Sequence, residues 1–331
     1  MSKKLNFAVY GCGNISNVHA TAAGSLEDAE LVGCADINKA SADAFAEKYG
    51  IHSYESLEDM ISDDKVDVVC ICTPNGTHAD IAIKILKANK NVIVEKPMAI
   101  TTEECDRIIA EAEKSTGKIM VISQMRTAPD IVKAKELVQS GALGKIVLCD
   151  LYMKYYRDPS YYEGSWHGTL KMDGGGALIN QGIHGVDIIQ YIVGPIVNTK
   201  SFVKTLVHDI EAEDTVVSAV EFENGAIGVI EATTSINPGF DREIKIHGSR
   251  GCIEICQTCI ERIVIDGVEQ ESKKFVSRGD SSSATTVTYE DHARQFDTFI
   301  RAINGENIEY IDQYEGRKAV ETIQRIYADK E

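Results

Sequence analysis

One lysine and one histidine in this chain stand where they could move a proton. Lys96 lies in the segment Glu95-Lys96-Pro97, directly after a short apolar run. An ammonium group at the end of a buried strand can stabilise an alcohol oxygen as that oxygen loses its proton. His184 lies in a helical segment four residues after Asn180, so the two side chains are expected to share one helix face. Because histidine accepts protons near neutral pH, these residues indicate acid–base chemistry at a hydroxyl group.

The sequence around His184 contains an unusual number of glycines. Asp173-Gly-Gly-Gly176 precedes the helical segment, and three glycines in a row let the backbone pass close to a ligand or a sheet. Gly182 and Gly185 lie inside the helix, where glycine costs stability, so close packing or a ligand is expected beside them. Asp187, three residues after His184, is expected to orient the imidazole.

A glycine-rich turn follows the first apolar run and opens a helical pattern. Its sequence is Gly11-Cys12-Gly13-Asn14-Ile15-Ser16. In this context Gly11 permits the tight turn, and Gly13 lets the backbone approach the phosphates of a dinucleotide. The helix N-terminus around Asn14 and Ile15 then supplies free N–H groups and a partial positive charge. Ser16 stands where the usual pattern has its third glycine, so the helix is expected to pack less closely on the strand.

Two further strand ends carry residues that suit a dinucleotide. Asp36 ends the second strand, 25 residues after Gly11, where a carboxylate accepts ribose hydroxyls and repels a 2′-phosphate. This position favours NAD over NADP. Thr73-Pro74-Asn75 follows the third apolar strand, either as a ligand-binding turn or as a simple turn. His78 lies just beyond it, at a helix start, where a structural role is favoured over a catalytic one.

Several other side chains are weaker candidates for substrate contacts. Arg126 follows the last strand of the first third and either binds a substrate hydroxyl or carboxylate or lies at the surface. One loop is rich in rings, namely Tyr155, Tyr156, Tyr161, Tyr162, Trp166 and His167. Aromatic rings there could stack on the C–H faces of a sugar or pack between domains. Of these residues, Tyr155 and Trp166 are assigned to the substrate. His292 opens a late helix and is expected to be structural.

Three cysteines have the spacing of an iron–sulfur motif. They are Cys252, Cys256 and Cys259, with His247 nearby. Ile253 and Ile255, however, alternate with their neighbours as in a β-strand, and a strand does not present a compact ligand loop. We therefore expect buried strand thiols and no metal.

The elements that position these residues change character along the chain. In the first third, fully apolar strands such as 66–72 alternate with helical patterns, which predicts a parallel sheet covered on both faces. Later, strands 216–222 and 226–232 flank Asn224-Gly225, a hairpin signal that predicts an antiparallel sheet. We therefore predict an α/β plus α+β chain with a domain at 1–123 and a second at 124–331. Residues 279–283 are polar and small, and a mobile loop is expected there.

Composition limits the function classes. The 331 residues are 44% apolar and carry a net charge of −17, and no Lys/Arg run exceeds two residues. An acidic chain repels nucleic acid and anionic lipid, so neither is an expected partner. No apolar run approaches the length of a membrane span. Nine cysteines, an odd number in a long chain, argue against a disulfide framework, which predicts a cytoplasmic protein.

Taken together, these motifs resemble the Gfo/Idh/MocA family of NAD(P)-dependent oxidoreductases. The resemblance covers essentially the whole chain. The matching motifs are Gly11-x-Gly13 with His19, Thr73-Pro74-Asn75 with His78, Glu95-Lys96-Pro97, and the glycine-rich start of the helix that carries His184. The resemblance implies an N-terminal Rossmann domain, whose cofactor-binding residues also include His78, Glu95 and Lys96, and a C-terminal domain with an open, mostly antiparallel sheet.

The resemblance also implies an activity. Family members transfer hydride between nicotinamide and a sugar or polyol carbinol, with Lys96 and His184 as the catalytic pair, and they assemble as homodimers or homotetramers. Inositol dehydrogenase-like members have Asp where this chain has Asn180, which could bind a substrate hydroxyl but could not share a proton with His184. Two alternatives follow: a nucleotide-sugar (UDP-sugar) dehydrogenase of the same family, and a non-catalytic regulator that senses the dinucleotide.

Overall fold

The structure is a computed structural model that describes residues 3–272 and 289–329. Residues 279–283, for which the sequence predicts a mobile loop, lie outside the described residues. The chain divides into two compact units. The first consists of Met1–Gln124 with Val287–Arg317, and the second of Met125–Thr286 with Lys318–Glu331.

The described strands and helices follow each other in this order. The strands are β1 (Leu5–Tyr10), β2 (Ala29–Ala35), β3 (His52–Ser53), β4 (Val68–Ile71), β5 (Asn91–Val94), β6 (Ile119–Val121), β7 (Ile146–Lys154), β8 (Ile196–Lys204), β9 (Thr215–Phe222), β10 (Ile227–Thr233), β11 (Glu243–Gly248), β12 (Gly251–Cys256), β13 (Cys259–Ile265) and β14 (Val268–Gln270). The helices are α1 (Asn14–Gly24), α2 (Lys39–Tyr49), α3 (Leu57–Ser62), α4 (His78–Lys87), α5 (Thr102–Ala112), α6 (Pro129–Gln139), α7 (Ile183–Val193), α8 (Tyr289–Ile303) and α9 (Gln313–Ala328).

The first unit is built on a six-stranded sheet in the order β3-β2-β1-β4-β5-β6. Every neighbouring pair of strands is parallel. All four residues of β4 are buried, as expected for a strand in the middle of a sheet with two covered faces. The strand order reverses between β1 and β4, and ligands of such sheets bind outside the carboxyl ends of the strands at this point. The predicted Rossmann fold is confirmed.

Local signals in the sequence explain where several helices of this unit begin and end. Asn38 caps α2 by accepting hydrogen bonds from the N–H groups of Ala40 and Ser41. Gly50 ends the same helix at φ +67°, a left-handed conformation that favours glycine. The hydroxyl of Thr101 likewise caps α5 by accepting from the N–H group of Glu104.

Residues 289–317 pack with the first unit, although the sequence pattern predicted them in the second domain. The reason is the apolar face of α8, on which Phe296 and Phe299 are fully buried. The ring of Phe296 stacks on that of Phe7 in β1, with centroids 5.7 Å apart. Burial of two phenylalanine side chains contributes several kcal/mol at the usual value of about 2 kcal/mol for each. The order of strands and helices along the sequence does not show that the chain returns from the second unit to the first.

The second unit contains an eight-stranded sheet in the order β14-β13-β12-β11-β7-β10-β9-β8. Its pairs are antiparallel except for β7 with β10, which are parallel. The predicted hairpin at Asn224-Gly225 is present, since β9 and β10 pair on either side of it. Strands β8 and β11 were not predicted, because neither is flanked by a tight-turn signal as strong as Asn-Gly.

Helix α7 packs on this second sheet through a closely fitted glycine. A Cβ atom at Gly185 would lie 2.5 Å from Leu151 Cδ1 in β7, so the leucine side chain would have to move to accommodate it. Gly185 therefore serves helix-to-sheet packing, one of the two reasons that the sequence suggested for it. Within the described residues, no helix is long and apolar enough to cross a membrane.

Candidate active site

The glycine turn after β1 lies against the end of β4. Gly11 has φ +94°, and a Cβ atom there would lie 2.7 Å from the carbonyl oxygen of Cys72. Helix α1 starts directly after Gly13, which offers no side-chain cap to its first N–H groups. A Cβ atom at Gly13 would meet nothing within 4 Å, so packing does not require glycine there. The open space and uncapped N–H groups fit the phosphates of a dinucleotide.

Asp36 connects this turn to the end of β2. Its Oδ2 accepts the N–H group of Cys12 at 2.7 Å, and its Oδ1 accepts the N–H group of Asn38 at 2.8 Å. Each carboxylate oxygen has a second lone pair, so both oxygens can still accept ribose hydroxyls. The neighbouring Ile37 is 95% exposed, an apolar surface beside the carboxylate that the sequence analysis did not consider.

The ends of β4 and β5 are joined by the buried ring of His78. Its Nδ1 lies 2.8 Å from the carbonyl oxygen of Pro97, and its Nε2 lies 2.9 Å from that of Thr73. The Thr73 hydroxyl also contacts the Thr77 hydroxyl at 2.7 Å. His78 thus connects the Thr73 turn to the Lys96-Pro97 peptide, which is cis. The structural role favoured for His78 is supported by these contacts.

Glu95 directs its carboxylate into the protein rather than toward solvent. Its Oε1 lies 2.8 Å from His19 Nε2 and 3.4 Å from His292 Nε2, and its Oε2 accepts the N–H group of Lys96 at 3.0 Å. Burial raises the pKa of Glu95, but the hydrogen bonds from both histidines outweigh it and hold that pKa well below its usual value. Glu95 is 6% exposed. Its hydrogen bond from the Lys96 N–H group holds the start of the turn at Lys96-Pro97, called the Lys96 turn below.

His19, Glu95 and His292 are also the group of three potential metal ligands found among residues 3–272 and 289–329. Their N···O distances of 2.8 and 3.4 Å are those of hydrogen bonds. Burial lowers the pKa of His19, which favours the neutral ring that donates one N–H to the carboxylate. These contacts describe a buried carboxylate that faces two imidazole rings, while Nδ1 of His19 and Nδ1 of His292 are buried without a hydrogen-bond partner among the described residues.

In the second unit, the helix that carries His184 begins differently from the prediction. The sequence predicts one helix over 177–193, whereas Ala177–Gly182 form a π-helical turn and α7 starts at Ile183. A π turn within a helix is rare and is frequent at functional sites. Asn180 lies in this turn and is buried, and His184 lies in the first turn of α7.

The amide of Asn180 is held from both sides. Its Nδ2 donates to Asp173 Oδ1 at 2.7 Å, and its Oδ1 accepts from Gln181 Nε2 at 2.9 Å. Asp173 is 1% exposed, and its Oδ2 accepts the N–H group of Gly168 at 2.8 Å. Because the carboxylate can only accept, it fixes which end of the Asn180 amide is the donor.

A buried carboxylate that the sequence analysis missed holds the start of the π turn. Glu213 accepts the N–H groups of Gly176 and Leu178, each at 2.8 Å, and the hydroxyl of Tyr327 at 2.8 Å. Burial raises the pKa of Glu213 to about 7. A Cβ atom at Gly176 would lie 1.8 Å from the Glu213 carbonyl oxygen, so this glycine serves close backbone packing.

Asp187 does not play the expected role beside His184. Both of its oxygens bind Arg126, from Nε at 2.8 Å and from Nη2 at 2.5 Å, in an ion pair whose side chains are 7% and 6% exposed. The expectation that Asp187 orients the imidazole is corrected, since a buried guanidinium takes both carboxylate oxygens. The positive charge of Arg126 is thus already paired with the carboxylate of Asp187. A contact between Arg126 and a substrate stays a prediction.

The aromatic loop forms a connected group next to Asn180. Gln181 accepts from Arg157 Nη2 at 2.9 Å and reaches the hydroxyl of Tyr161 at 3.4 Å. The Arg157 guanidinium lies 5.5 Å from the Tyr161 ring centroid and 5.8 Å from that of Tyr155. Trp166 is half-buried and stacks on His167, with centroids 4.0 Å apart. Tyr155 is buried, so it supports this group more than it offers a free ring.

Comparison with known proteins identifies the family of this chain. The model of an oxidoreductase family with an NAD-binding Rossmann fold, GFO/IDH/MocA, matches residues 5–123, and that family's C-terminal domain matches residues 131–254. D-glucoside 3-dehydrogenase of Escherichia coli is 30% identical over 255 residues, which are 71% of this chain and 72% of the relative. The chain belongs to the GFO/IDH/MocA family of oxidoreductases.

Other members of the GFO/IDH/MocA family are similar over most of the chain. Myo-inositol 2-dehydrogenase of Thermotoga maritima is 29% identical over 255 residues, which are 75% of this chain and 74% of the relative. The structure of the WlbA dehydrogenase of Bordetella pertussis in complex with NADH and UDP-GlcNAcA has a TM-score of 0.86 at 28% identity. That comparison covers 99% of this chain and 96% of the other.

The cysteines of this GFO/IDH/MocA member lie where the sequence predicts strands. Cys252 and Cys256 are in β12, and Cys259 opens β13 opposite Cys256. All nine cysteines are free, and burial raises the pKa of Cys256 to about 12. The three cysteines thus lie in paired strands as predicted, but only Cys256 among them is buried, and Cys252 and Cys259 are partly exposed.

Proposed function

We propose that the chain is an NAD-dependent dehydrogenase that oxidises a carbinol of a sugar or polyol, with Lys96 and His184 as the catalytic pair. The observation that carries the proposal is the Lys96 turn. It lies at the carboxyl end of β5 and is fixed by Glu95 and His78, in the same unit as the glycine turn and Asp36. Relatives named myo-inositol and D-glucoside dehydrogenases support the substrate class.

The proposed cofactor contacts all lie at strand ends of the first unit. Asp36 would bind the adenosine ribose, and the exposed Ile37 would cover one face of the adenine. The remaining contacts are assigned to the glycine turn and the two turns after it: Gly11, Gly13, Asn14, Ile15, Thr73, Pro74, Asn75 and Lys96. His78 and Glu95, which the sequence also assigned to the cofactor, are buried and hold these turns through internal hydrogen bonds. NAD, when bound, supplies the hydride acceptor at C4 of its nicotinamide. The carboxylate of Asp36 disfavours NADP because it would repel a 2′-phosphate.

Each member of the catalytic pair has a distinct task. His184 takes the proton of the carbinol hydroxyl during oxidation, and a histidine base suits a neutral medium. The Lys96 ammonium binds the same oxygen and stabilises the negative charge that develops on it. Asn180, whose amide Asp173 and Gln181 hold in one orientation, binds a neighbouring hydroxyl. Arg126, Tyr155 and Trp166 complete the predicted substrate contacts.

A nucleotide sugar is the second candidate substrate. It is favoured by Asn180, which departs from the inositol-dehydrogenase pattern, and by the similarity to WlbA, whose structure contains UDP-GlcNAcA. A diphosphate would require a cation near the site. Arg157, beside Gln181, suits this better than Arg126, whose charge is paired with Asp187.

We further propose a homodimer or homotetramer that is formed through the open face of the second sheet. Three strands expose apolar side chains there: Phe202 of β8 is 58% exposed, Val217 of β9 is 42% exposed and Ile227 of β10 is 54% exposed. Large exposed apolar groups on neighbouring strands are typical of an association surface. A cytoplasmic location is proposed because all nine cysteines are free thiols.

The test is NADH formation from NAD with a panel of sugars, polyols and UDP-sugars, followed by absorbance. Activity on an unmodified sugar or polyol is the expected result. Activity confined to UDP-sugars would favour the second candidate. Tight NAD binding with no turnover on the whole panel would contradict both and favour a dinucleotide-sensing regulator.

A further inference from the structure

His78 makes two hydrogen bonds that a neutral imidazole cannot make. The ring is fully buried, with Nδ1 2.8 Å from the carbonyl oxygen of Pro97 and Nε2 2.9 Å from that of Thr73. A neutral imidazole has one N–H donor and one lone pair, whereas carbonyl oxygens only accept. A neutral His78 would therefore hold a nitrogen lone pair against an oxygen lone pair at hydrogen-bond distance, inside a fully buried site.

We propose that His78 is a doubly protonated imidazolium that fixes the Lys96 turn to the Thr73 turn, and is thus a positioning residue. The charged ring donates one N–H to each carbonyl oxygen and satisfies both contacts. The cross-link spans β4 and β5, the two strand ends beyond the glycine turn. This role rests on the proposed function, since it matters for catalysis only if Lys96 acts on the substrate.

The charges around the ring act in both directions. The carboxylate of Glu95 favours the imidazolium, and the ammonium of Lys96 opposes it. Burial is the largest influence and holds the pKa of His78 below its ordinary value, although the two carbonyl oxygens and Glu95 act to raise it. The two N···O contacts therefore carry the proposal. Glu95 is itself kept ionised by His19 and His292, so a counter-charge for His78 is present at neutral pH.

The ring charge can be measured without any substrate. In 15N NMR spectra of histidine-labelled wild-type enzyme, we expect both ring nitrogens of His78 to carry protons at about pH 7. The signals are assigned by their loss in His78→Gln. Neutron diffraction from wild-type crystals reads the same two protons if that variant does not fold. One unprotonated ring nitrogen would overturn the proposal, whatever the enzyme's activity.

The positioning role is tested with His78→Gln against His52→Gln, a change at an exposed histidine of the same unit. A glutamine carries both of its N–H donors on one nitrogen, so it cannot replace two ring nitrogens that face different carbonyl oxygens. We expect its turnover to fall by about tenfold or more while KM changes less, and His52→Gln to match the wild type. Wild-type turnover in a folded His78→Gln enzyme would contradict the positioning role. If the wild-type enzyme shows no turnover on any substrate of the panel, that result counts against the proposed function instead.

Discussion

Asn180 donates its side-chain amide to the buried carboxylate of Asp173 at 2.7 Å, seven residues earlier in the chain. The family resemblance implies a carboxylate at this position in inositol dehydrogenase-like members, whereas here the carboxylate of Asp173 lies next to the amide of Asn180. Asp173 cannot exchange a proton through Asn180, but it fixes the direction of the amide dipole. The pair therefore makes Asn180 an oriented hydrogen-bonding group next to the helix turn that carries His184.

Replacement of Asp173 by Asn should impair catalysis without affecting the cofactor. The new amide cannot accept from both Gly168 and Asn180, which leaves a buried donor unpaired at a cost of about 1–3 kcal/mol. We expect kcat/KM to fall by about ten- to hundredfold. The Kd for NADH should not change, because the proposed cofactor residues lie in the other unit. Asp209→Asn, at an exposed aspartate of the second unit, is the control. An unchanged kcat/KM would argue against an oriented Asn180.

The charge of Glu213 should make stability depend on pH. Its folded pKa of about 7 lies above its ordinary value of 4.5 because the carboxylate is buried. The native state therefore holds this proton more tightly. The resulting stability is fully present below pH 4.5 and is lost as the pH rises through 7.

The measurement is urea unfolding of the wild type and Glu213→Gln at about pH 5 and about pH 8. Relative to the glutamine variant, the wild type should lose roughly 2–3 kcal/mol of unfolding free energy between these values. Parallel pH dependences of the two proteins would show that Glu213 titrates as an ordinary exposed carboxyl group.

Removal of the Asp36 carboxylate should relax the preference for NAD. In Asp36→Ser the repulsion of a 2′-phosphate disappears, so the ratio of NADP to NAD activity should rise by about tenfold or more. Binding of NAD should also weaken, since the N–H group of Cys12 loses its acceptor. Asp64→Ser, at an exposed aspartate of the same unit, should keep the wild-type ratio. Kd values for NADH and NADPH decide the matter, and an unchanged ratio would remove Asp36 from the cofactor site.

Charge placed on the open face of the second sheet should separate the subunits. Phe202→Glu and Ile227→Glu together put two carboxylates into the proposed interface, where burial of unpaired charge is strongly unfavourable. Light scattering after gel filtration should then give the mass of one chain. Leu170→Glu changes an exposed residue in a loop of the same unit and should leave the mass unchanged. An oligomer that survives the double substitution uses another surface.

Sequence patterns located strands and candidate site residues best where the signal is local, as at the end of a single strand. The predicted strand 66–72 contains β4, and Asp36 directly follows β2 as expected, because continuous apolar runs have a clear beginning and end. The Asn-Gly signal likewise located the hairpin of β9 and β10. In each of these cases the information is local, within about ten residues.

Sequence reasoning failed where contacts join distant residues. Glu213 and Tyr327 meet at the start of the π turn although 114 positions separate them, and nothing in either neighbourhood signals it. His292 reaches Glu95 across 197 positions. Gln181 had a local clue, since it adjoins Asn180, but its links to Arg157 and Tyr161 depend on the fold of the loop. Asp187 was misassigned because helix spacing alone cannot show a competing arginine.

The most direct test of the account is the turnover of Lys96→Ala and His184→Ala on the substrate that the panel identifies, with NADH affinity measured in parallel. Lys118→Ala and His52→Ala, at exposed positions, are the controls. We expect both site variants to lose about a thousandfold in kcat, as is usual for loss of a positioned acid or base, while the Kd for NADH stays within about threefold. Wild-type turnover in either site variant would contradict the role assigned to that residue.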